Sequence, residues 1–298
     1  MWKNQLIALY CTVCQCYRIR LAWYVQRLSN NSRPKFLDEE VMTVYLWGIF
    51  NRQFELRGIH TMTKNYLSEW FPHLPSYQAF CRRVNDLSEA FRALSDMWME
   101  EALSSRQQAL YDEYAIDSFP IIMAINSRSD NAKVAEEFCR KTYNSSRKEW
   151  YYGLKLHALV GLRRGKLPLP VAVSLSPASA SDLVNARDMF SDMQPISHGA
   201  LYADKVYVDA SWKEHLEQDY GVRLLTPRKK LKNIPEVMLS SDAYSTFVSS
   251  KRQPIEAFFQ WINEKTRIQI ASKVRSFKGL LSHVFASLSA AFFLLLYS

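Results

Sequence analysis

The sequence predicts an α/β protein in two parts, an all-helical section over residues 1–106 followed by a mixed sheet flanked by helices over 107–298. Three observations carry this. Before residue 106 the apolar residues recur at helical spacing, most plainly at Tyr77, Phe80, Val84, Leu87 and Phe91, three or four residues apart. Beyond it, three strand-like apolar runs follow one another, Ala109 to Ala124, Trp150 to Gly161 and Leu169 to Leu175. After those, shorter strands alternate with helical stretches. With 48% hydrophobic residues in a 298-residue chain, there is ample material for a core, which excludes a disordered protein.

The helical section is punctuated at Ser32-Arg33-Pro34 and again at Pro72-His73-Leu74-Pro75. Ser76 is placed to cap the stripe helix that starts at Tyr77, leaving Gln78, Arg82, Arg83 and Asn85 facing outward. A helix at Lys64 to Trp70 precedes it, and the pair reads as a helix-turn-helix offering a basic, amide-bearing face to DNA, or as a solvated face of an ordinary helical domain. In the second part, Arg163-Arg164-Gly165-Lys166 makes a turn between two runs, so these form a hairpin. A helix at Ser181 to Met193, a strand at Ala200 to Tyr207, a helix at Ser211 to Asp219 and a strand at Val222 to Thr226 come next. A polar, basic loop over about 227–253 leads to a helix beginning near Pro254, a residue suited to a first helical turn. The order β-β-β-α-β-α-β-loop-α is that of a ribonuclease H-like sheet. The apolar end, Leu280 to Tyr297, is interrupted by His283 and three serines and reads as a buried helix rather than a membrane span. The start lacks a small-residue cleavage site, which argues against a signal peptide.

Charge is concentrated. Of the formal +9, a net +8 falls between Arg223 and Lys278, where 12 basic residues face four acidic ones and are interleaved with Tyr244, Phe247, Phe258, Phe259 and Trp261. Cations mixed with aromatics suit a groove that tracks a phosphate backbone. Five cysteines form no disulfide framework, so a reducing cytoplasm is expected; Cys11-x-x-Cys14-x-Cys16 lacks the partner cluster of a zinc site and reads as core, with Cys11 and Cys14 on one apolar face.

Three carboxylates stand out by context. Asp117 interrupts an apolar strand, Asp204 ends another, and Glu256 lies on an apolar helical face. A buried carboxylate needs a compensating cation or donors. Two Asp and a Glu converging at one sheet edge can hold a pair of Mg²⁺ ions, hard cations that take oxygen ligands, and such a pair serves phosphodiester cleavage and transfer. Taken singly, each carboxylate reads as a structural ion pair, Asp204 with Lys205 or Glu256 with Arg252. Asp112 and Glu113 sit nearer the strand edge, open to solvent.

In order and context, Asp117, Asp204 and Glu256 resemble the DDE triad of bacterial insertion-sequence transposases. Nearly the whole chain is similar to the insertion sequence 982 family, through Phe71-Pro-His-Leu-Pro-Ser-Tyr-Gln-Ala-Phe80 with Arg83, Ile116-Asp-Ser-Phe-Pro120, Tyr152-Gly-Leu-Lys-Leu-His157, Asp204-Lys-Val-Tyr207, and Ile255-Glu256 with Phe259. The resemblance implies a ribonuclease H-like core, Mg²⁺ with Mn²⁺ as a substitute, strand transfer between transposon ends and target DNA, at least a homodimer on that DNA, and a bacterial cytoplasm beside the nucleoid. It makes residues 1–106 a DNA-binding domain. Arg252 matches the Arg four before the Glu in a related signature, whereas Ser249 and Asn263 replace its Tyr and Lys, and Val206 stands where many relatives have Gly.

The further DNA contacts expected are Arg252, Lys205, Lys155, Arg82, Arg83, and Arg228, Lys229 and Lys230 in the basic loop. Lys155 and His157 share a strand face beside the strand of Asp117, as phosphate contacts or as a satisfied half-buried pair. Two other functions share these features: a non-catalytic DNA-binding protein on the same fold, and a nuclease that cuts without joining.

Overall fold

The computed structural model describes residues 2–25, 34–104, 111–145, 147–228 and 242–297. The chain divides into two units, one of Met1–Ser105, Asn131–Glu137 and Ile262–Ser298, the other of Arg106–Asp130 and Phe138–Trp261.

The first unit is helical: α1 (Trp2–Ile19), α2 (Asp38–Phe50), α3 (Leu56–Tyr66), α4 (Tyr77–Asp86) and α5 (Ser88–Ser104). The inner stripe of α1 is Leu6, Leu9, Val13 and Cys16, so Cys16 is buried and Cys11 exposed; the expected Cys11 and Cys14 face is not the core face. Ser76 caps α4 by accepting from the Ala79 N–H at 3.3 Å. Phe80, Val84, Leu87 and Phe91 are buried as their spacing requires, but two helices carry them, α4 ending at Leu87, whose N–H turns back to the carbonyls of Arg83 and Val84. The helix expected at Lys64 to Trp70 lies earlier, as α3, because the chain from Leu67 closes in successive turns on Thr63 and Leu67 carbonyls.

The last helix belongs to this unit rather than to a catalytic domain running to residue 298. Phe277–Tyr297 is the one helix among the described residues long and apolar enough to cross a membrane, yet it packs chiefly on α5, with two thirds of its most apolar stretch buried. A helix apolar all round must be covered on several sides. Three of its buried polar groups are paired: the Ser282 and Ser289 hydroxyls donate to the Val84 and Phe91 carbonyls, and His283 Nε2 lies 2.9 Å from the Ile268 carbonyl.

The second unit is built on six strands, β1 (Glu113–Ile125), β2 (Arg140–Asn144), β3 (Glu149–Gly161), β4 (Leu169–Pro177), β5 (Gly199–Tyr202) and β6 (Val222–Leu225). The order is β2-β3-β1-β5-β6, with β4 also on β3. β1, β3 and β4 pair antiparallel, while β5 and β6 run parallel to β1. Gly153 in β3 permits close approach, since a Cβ there would sit 2.0 Å from the Ile121 carbonyl oxygen, just before the register shifts at Ile122/Ala124. A short helix, α6 (Ser127–Asp130), follows β1; α7 (Asp182–Met193) and α8 (Ala210–Tyr220) cover one face around Ile116, Leu159, Phe190, Tyr207 and Trp212.

Three differences from the sequence reading matter here. The run Ala200 to Tyr207 is a short strand, then a 3-10 turn at Lys205–Tyr207. β2 is a strand that alternation did not signal, its residues mostly exposed on the sheet edge. The last helix of the unit starts at Ala243, 11 residues before Pro254, so the expected loop over 227–253 is helical in its second half. Residues 229–241, with Lys229 and Lys230, lie outside the described residues. Pro254 is inside this helix because Val248, Ile255, Phe258, Phe259 and Ile262 form a continuous buried stripe across it, which outweighs one missing N–H.

Candidate active site

The parallel register of β1 and β5 brings the two aspartates together. Ala115 is opposite Tyr202. Asp117 and Asp204, each two residues further, therefore leave adjacent strands on the same face of the sheet. The backbone keeps that direction: the Ala203 N–H bonds the Leu225 carbonyl, and Asp204 remains extended at φ −76 and ψ 171. Asp204 then accepts from the Lys205 N–H at 2.7 Å and caps the 3-10 turn. Asp117 accepts from the Ser118 N–H at 2.8 Å.

The helix Ala243–Thr266, here α9, supplies the third carboxylate and the cations. Arg252 Nη1 donates to Asp117 at 2.7 Å and its Nη2 to Glu256 at 2.9 Å, so one guanidinium bridges both carboxylates. Next to it, Lys251 donates to both oxygens of Glu113 at 2.6 and 2.7 Å, and the Tyr202 hydroxyl adds a third bond to Glu113 at 2.9 Å. Glu113, expected to be solvated, is held below the usual carboxylate range first by the Lys251 hydrogen bond. Phe119 of β1 stacks on Phe259 of α9 with ring centroids 5.1 Å apart and planes inclined by 15°. Two ion pairs and a stacked aromatic pair thus fix α9 along β1, with Glu256 one helical turn beyond Arg252.

Burial dominates the electrostatics of Asp117. Loss of water pushes its pKa up to about 6; the Arg252 charge and the Ser118 N–H pull the other way, and Asp204 and Asp182 add to the rise. Protons or cations are the means of relieving such crowding.

The remaining predicted residues separate into groups. Lys155 pairs with Pro120 and His157 with Ser118 in the β1–β3 register, so both leave the sheet on the face opposite Asp117. Lys155 is committed there to Asp182 at 2.8 Å and to the Ala180 carbonyl at 3.0 Å. His157 Nε2 lies 2.7 Å from Ser176 Oγ, its Nδ1 is buried without a partner among the described residues, and loss of water lowers its pKa to about 4. Neither residue sits beside Asp117: Lys155 is paired with Asp182, and His157 is buried with one ring nitrogen bonded. Arg83 turns inward as a two-pronged partner of buried Asp38, both bonds at 2.6 Å, whereas Arg82 is exposed. Arg83 therefore does not share the outward basic face. Lys205 is exposed beside Asp204, and Arg228 lies over the Tyr244 ring at 5.4 Å.

Sequence reading missed Lys251, Tyr202 and Asp182 as partners. Lys251 carried a signal, adjacency to Arg252 on a helix; Tyr202 and Asp182 acquire roles only through strand register. Tyr207 is also unanticipated. Its hydroxyl is buried with no partner among the described residues, within the field of Asp182, Asp117 and Asp204, and its pKa is raised well above the ordinary value, chiefly by burial.

Asp117, Asp204 and Glu256 are an all-oxygen donor set, which fits a hard divalent cation. Among the described residues, no group of three or more His, Cys, Asp or Glu gathers as a metal site. Arg252 supplies positive charge between two of the three carboxylates instead.

Comparison with known proteins gives this arrangement its context. No curated protein sequence matches the chain. In fold it is similar to the piggyBac transposase of a synaptic complex with hairpin DNA, with a TM-score of 0.59, 10% identity, and coverage of 96% of this chain and 74% of that one. The family model described as the transposase DDE domain matches residues 109–276, more than half of the chain and a span that includes Asp117, Asp204 and Glu256. By that match the chain belongs to the transposase DDE domain family.

Proposed function

We propose that the protein is a DNA transposase of the insertion sequence 982 type, with a ribonuclease H-like sheet, which cleaves the ends of its own mobile element and joins them to target DNA. The observation that carries this reading is Asp117 on β1 with Asp204 two residues past the end of the adjacent parallel strand β5, and Arg252 tying Glu256 to Asp117. In the reaction, water breaks a phosphodiester bond to leave a 5′-phosphate and a free 3′-hydroxyl. That hydroxyl attacks a target phosphodiester, forming one P–O bond and releasing the target's own 3′-hydroxyl.

Asp117, Asp204 and Glu256 are the residues that would hold Mg²⁺, or Mn²⁺, and when bound a pair of such ions activates the attacking oxygen and stabilises the leaving one. The chain's own groups do the rest. Arg252 exchanges its carboxylate partners for phosphate, and Lys205 meets the backbone next to Asp204. The helices over residues 60–92 recognise the ends, with Arg82 on the exposed side. Two ends must be held together, so the working form is at least a homodimer.

The test is nicking of a labelled fragment that includes the DNA flanking this protein's reading frame, with Mg²⁺ added. Wild type is expected to cut near the ends of any flanking inverted repeats, and Asp204→Asn to be slower by at least about a thousandfold. An Asp204→Asn protein that nicks at the wild-type rate overturns the reading. Cutting without transfer to a second labelled duplex identifies a nuclease instead.

A further inference from the structure

The hairpin formed by β2 and the start of β3 bears a surface that the reading above does not use. Tyr143 and Trp150 are directly opposite each other across it, and Lys141 is opposite Tyr152, so Lys141, Tyr143 and Trp150 share one face. Both rings are open to solvent, Trp150 being 49% and Tyr143 48% exposed. The rings touch with centroids 5.4 Å apart, and the Lys141 ammonium lies over the Trp150 ring at 4.6 Å. Lys141 is itself held by Asp130. The indole is thus oriented before any partner arrives, at little further cost in side-chain freedom.

Charge and edge chemistry select the partner. The hairpin carries Arg140, Lys141, Arg147 and Lys148 against Glu149, all four cations exposed, and remains net positive with Asp130 included. β2 is a sheet edge, but it is only five residues long and bears lysine and arginine, features that discourage pairing with another strand. Exposed aromatics between cations instead match a chain of stacked bases joined by phosphates. An aromatic face can be reached only by bases that are not already stacked and paired.

We infer that the β2–β3 hairpin is a contact for single-stranded DNA, with a base stacked on Trp150 and the neighbouring phosphates on Lys141, Arg147 and Lys148. The inference rests on the DNA reading of the protein. Its position is set by register: Asp117 faces Ala158, and Trp150 lies eight residues along β3 from Ala158, roughly 27 Å at about 3.4 Å per residue. About eight nucleotides of strand would span that distance at a base-step spacing of roughly 3.4 Å.

The experiment is fluorescence anisotropy of the full chain with a labelled 20-nucleotide oligo(dT) and a labelled 20-base-pair duplex. Trp150→Ala is expected to weaken oligo(dT) binding about tenfold or more and duplex binding less than twofold, with Trp150→Phe keeping most of the affinity and Tyr143→Ala falling between. Equal melting curves by circular dichroism and equal sedimentation of wild type and variants are expected alongside. The inference is overturned if Trp150→Ala binds oligo(dT) like wild type, if both probes lose equally, or if sedimentation shows that the variant dissociates a dimer, which would make the face a self-contact. A wild type that binds neither probe overturns the DNA reading itself, and this inference with it; the other failures leave that reading standing.

Discussion

Arg252 has 20% of its side chain exposed and answers Asp117, itself 20% exposed, and the half-exposed Glu256. Removing the cation from a largely buried carboxylate is costly, so Arg252→Ala is expected to lose about 2–3 kcal/mol of stability at pH 7.5 in chelator, and less at pH 5. The difference has a stated origin: Asp117, raised to about 6, is mostly protonated at pH 5 and no longer needs the guanidinium. Urea titrations at the two pH values measure it, and an equal loss at both would remove Arg252 as the partner of an ionised Asp117. His157 loses its contribution in the same pH direction for a different reason. Its folded pKa, near 4, is below the ordinary 6.5, so the unfolded chain binds the proton first. The stability contributed by neutral His157 is complete above about 6.5 and is lost as pH falls toward 4, an effect on the order of 3 kcal/mol. His157→Gln should therefore be less destabilising relative to wild type at pH 4.5 than at pH 7.

At the scale of the element, α4 shows how much of a site composition reveals and where it stops. Ser76 as cap and the stripe from Phe80 to Phe91 are legible because capping and spacing are local properties. Arg82 and Arg83 are indistinguishable in the same reading, for the inward turn of Arg83 depends on Asp38, 45 residues away. Arg83→Ala is expected to cost about 3 kcal/mol of stability. Arg82→Ala should cost under about 0.5 kcal/mol and lower the salt slope of DNA binding by about one. Chemical denaturation and binding at three salt concentrations separate them; a stable Arg83→Ala protein would show that the pair with Asp38 holds nothing together. α9 teaches a related lesson. Proline is a good first-turn signal, but the stripe Val248, Ile255, Phe258, Phe259 and Ile262 makes the helix run through it, and that stripe begins before Pro254. The aspartates were legible as carboxylates in apolar strands, whereas their adjacency needed the β1–β5 register, which no local pattern contains.

For the whole molecule, most of the order of elements in the sheet unit was readable because most strands and helices have their own period, β2 and the short α6 excepted, while the allocation of the last helix was not. Hydropathy identifies Phe277–Tyr297 as apolar and says nothing of which helices cover it. The structure gives it to the helical unit, where Leu280, Val284, Leu288 and Phe292 are buried and Ser282 and Ser289 bond carbonyls of α4 and α5. A fragment cut at the boundary that composition marks, residues 107–298, would keep this helix and lose its cover. Several large apolar side chains left in water at about 1.5–3 kcal/mol each would drive association. Such a fragment is expected to aggregate, and a shorter one ending before Phe277 to be more soluble, whereas residues 1–106 alone should melt without cooperativity because the partner of α5 is missing. Size-exclusion chromatography and thermal circular dichroism decide it. A monomeric 107–298 fragment beside a cooperatively folded 1–106 fragment would mean that each unit folds without the shared helix, and the boundary near residue 106 would then be the physical one.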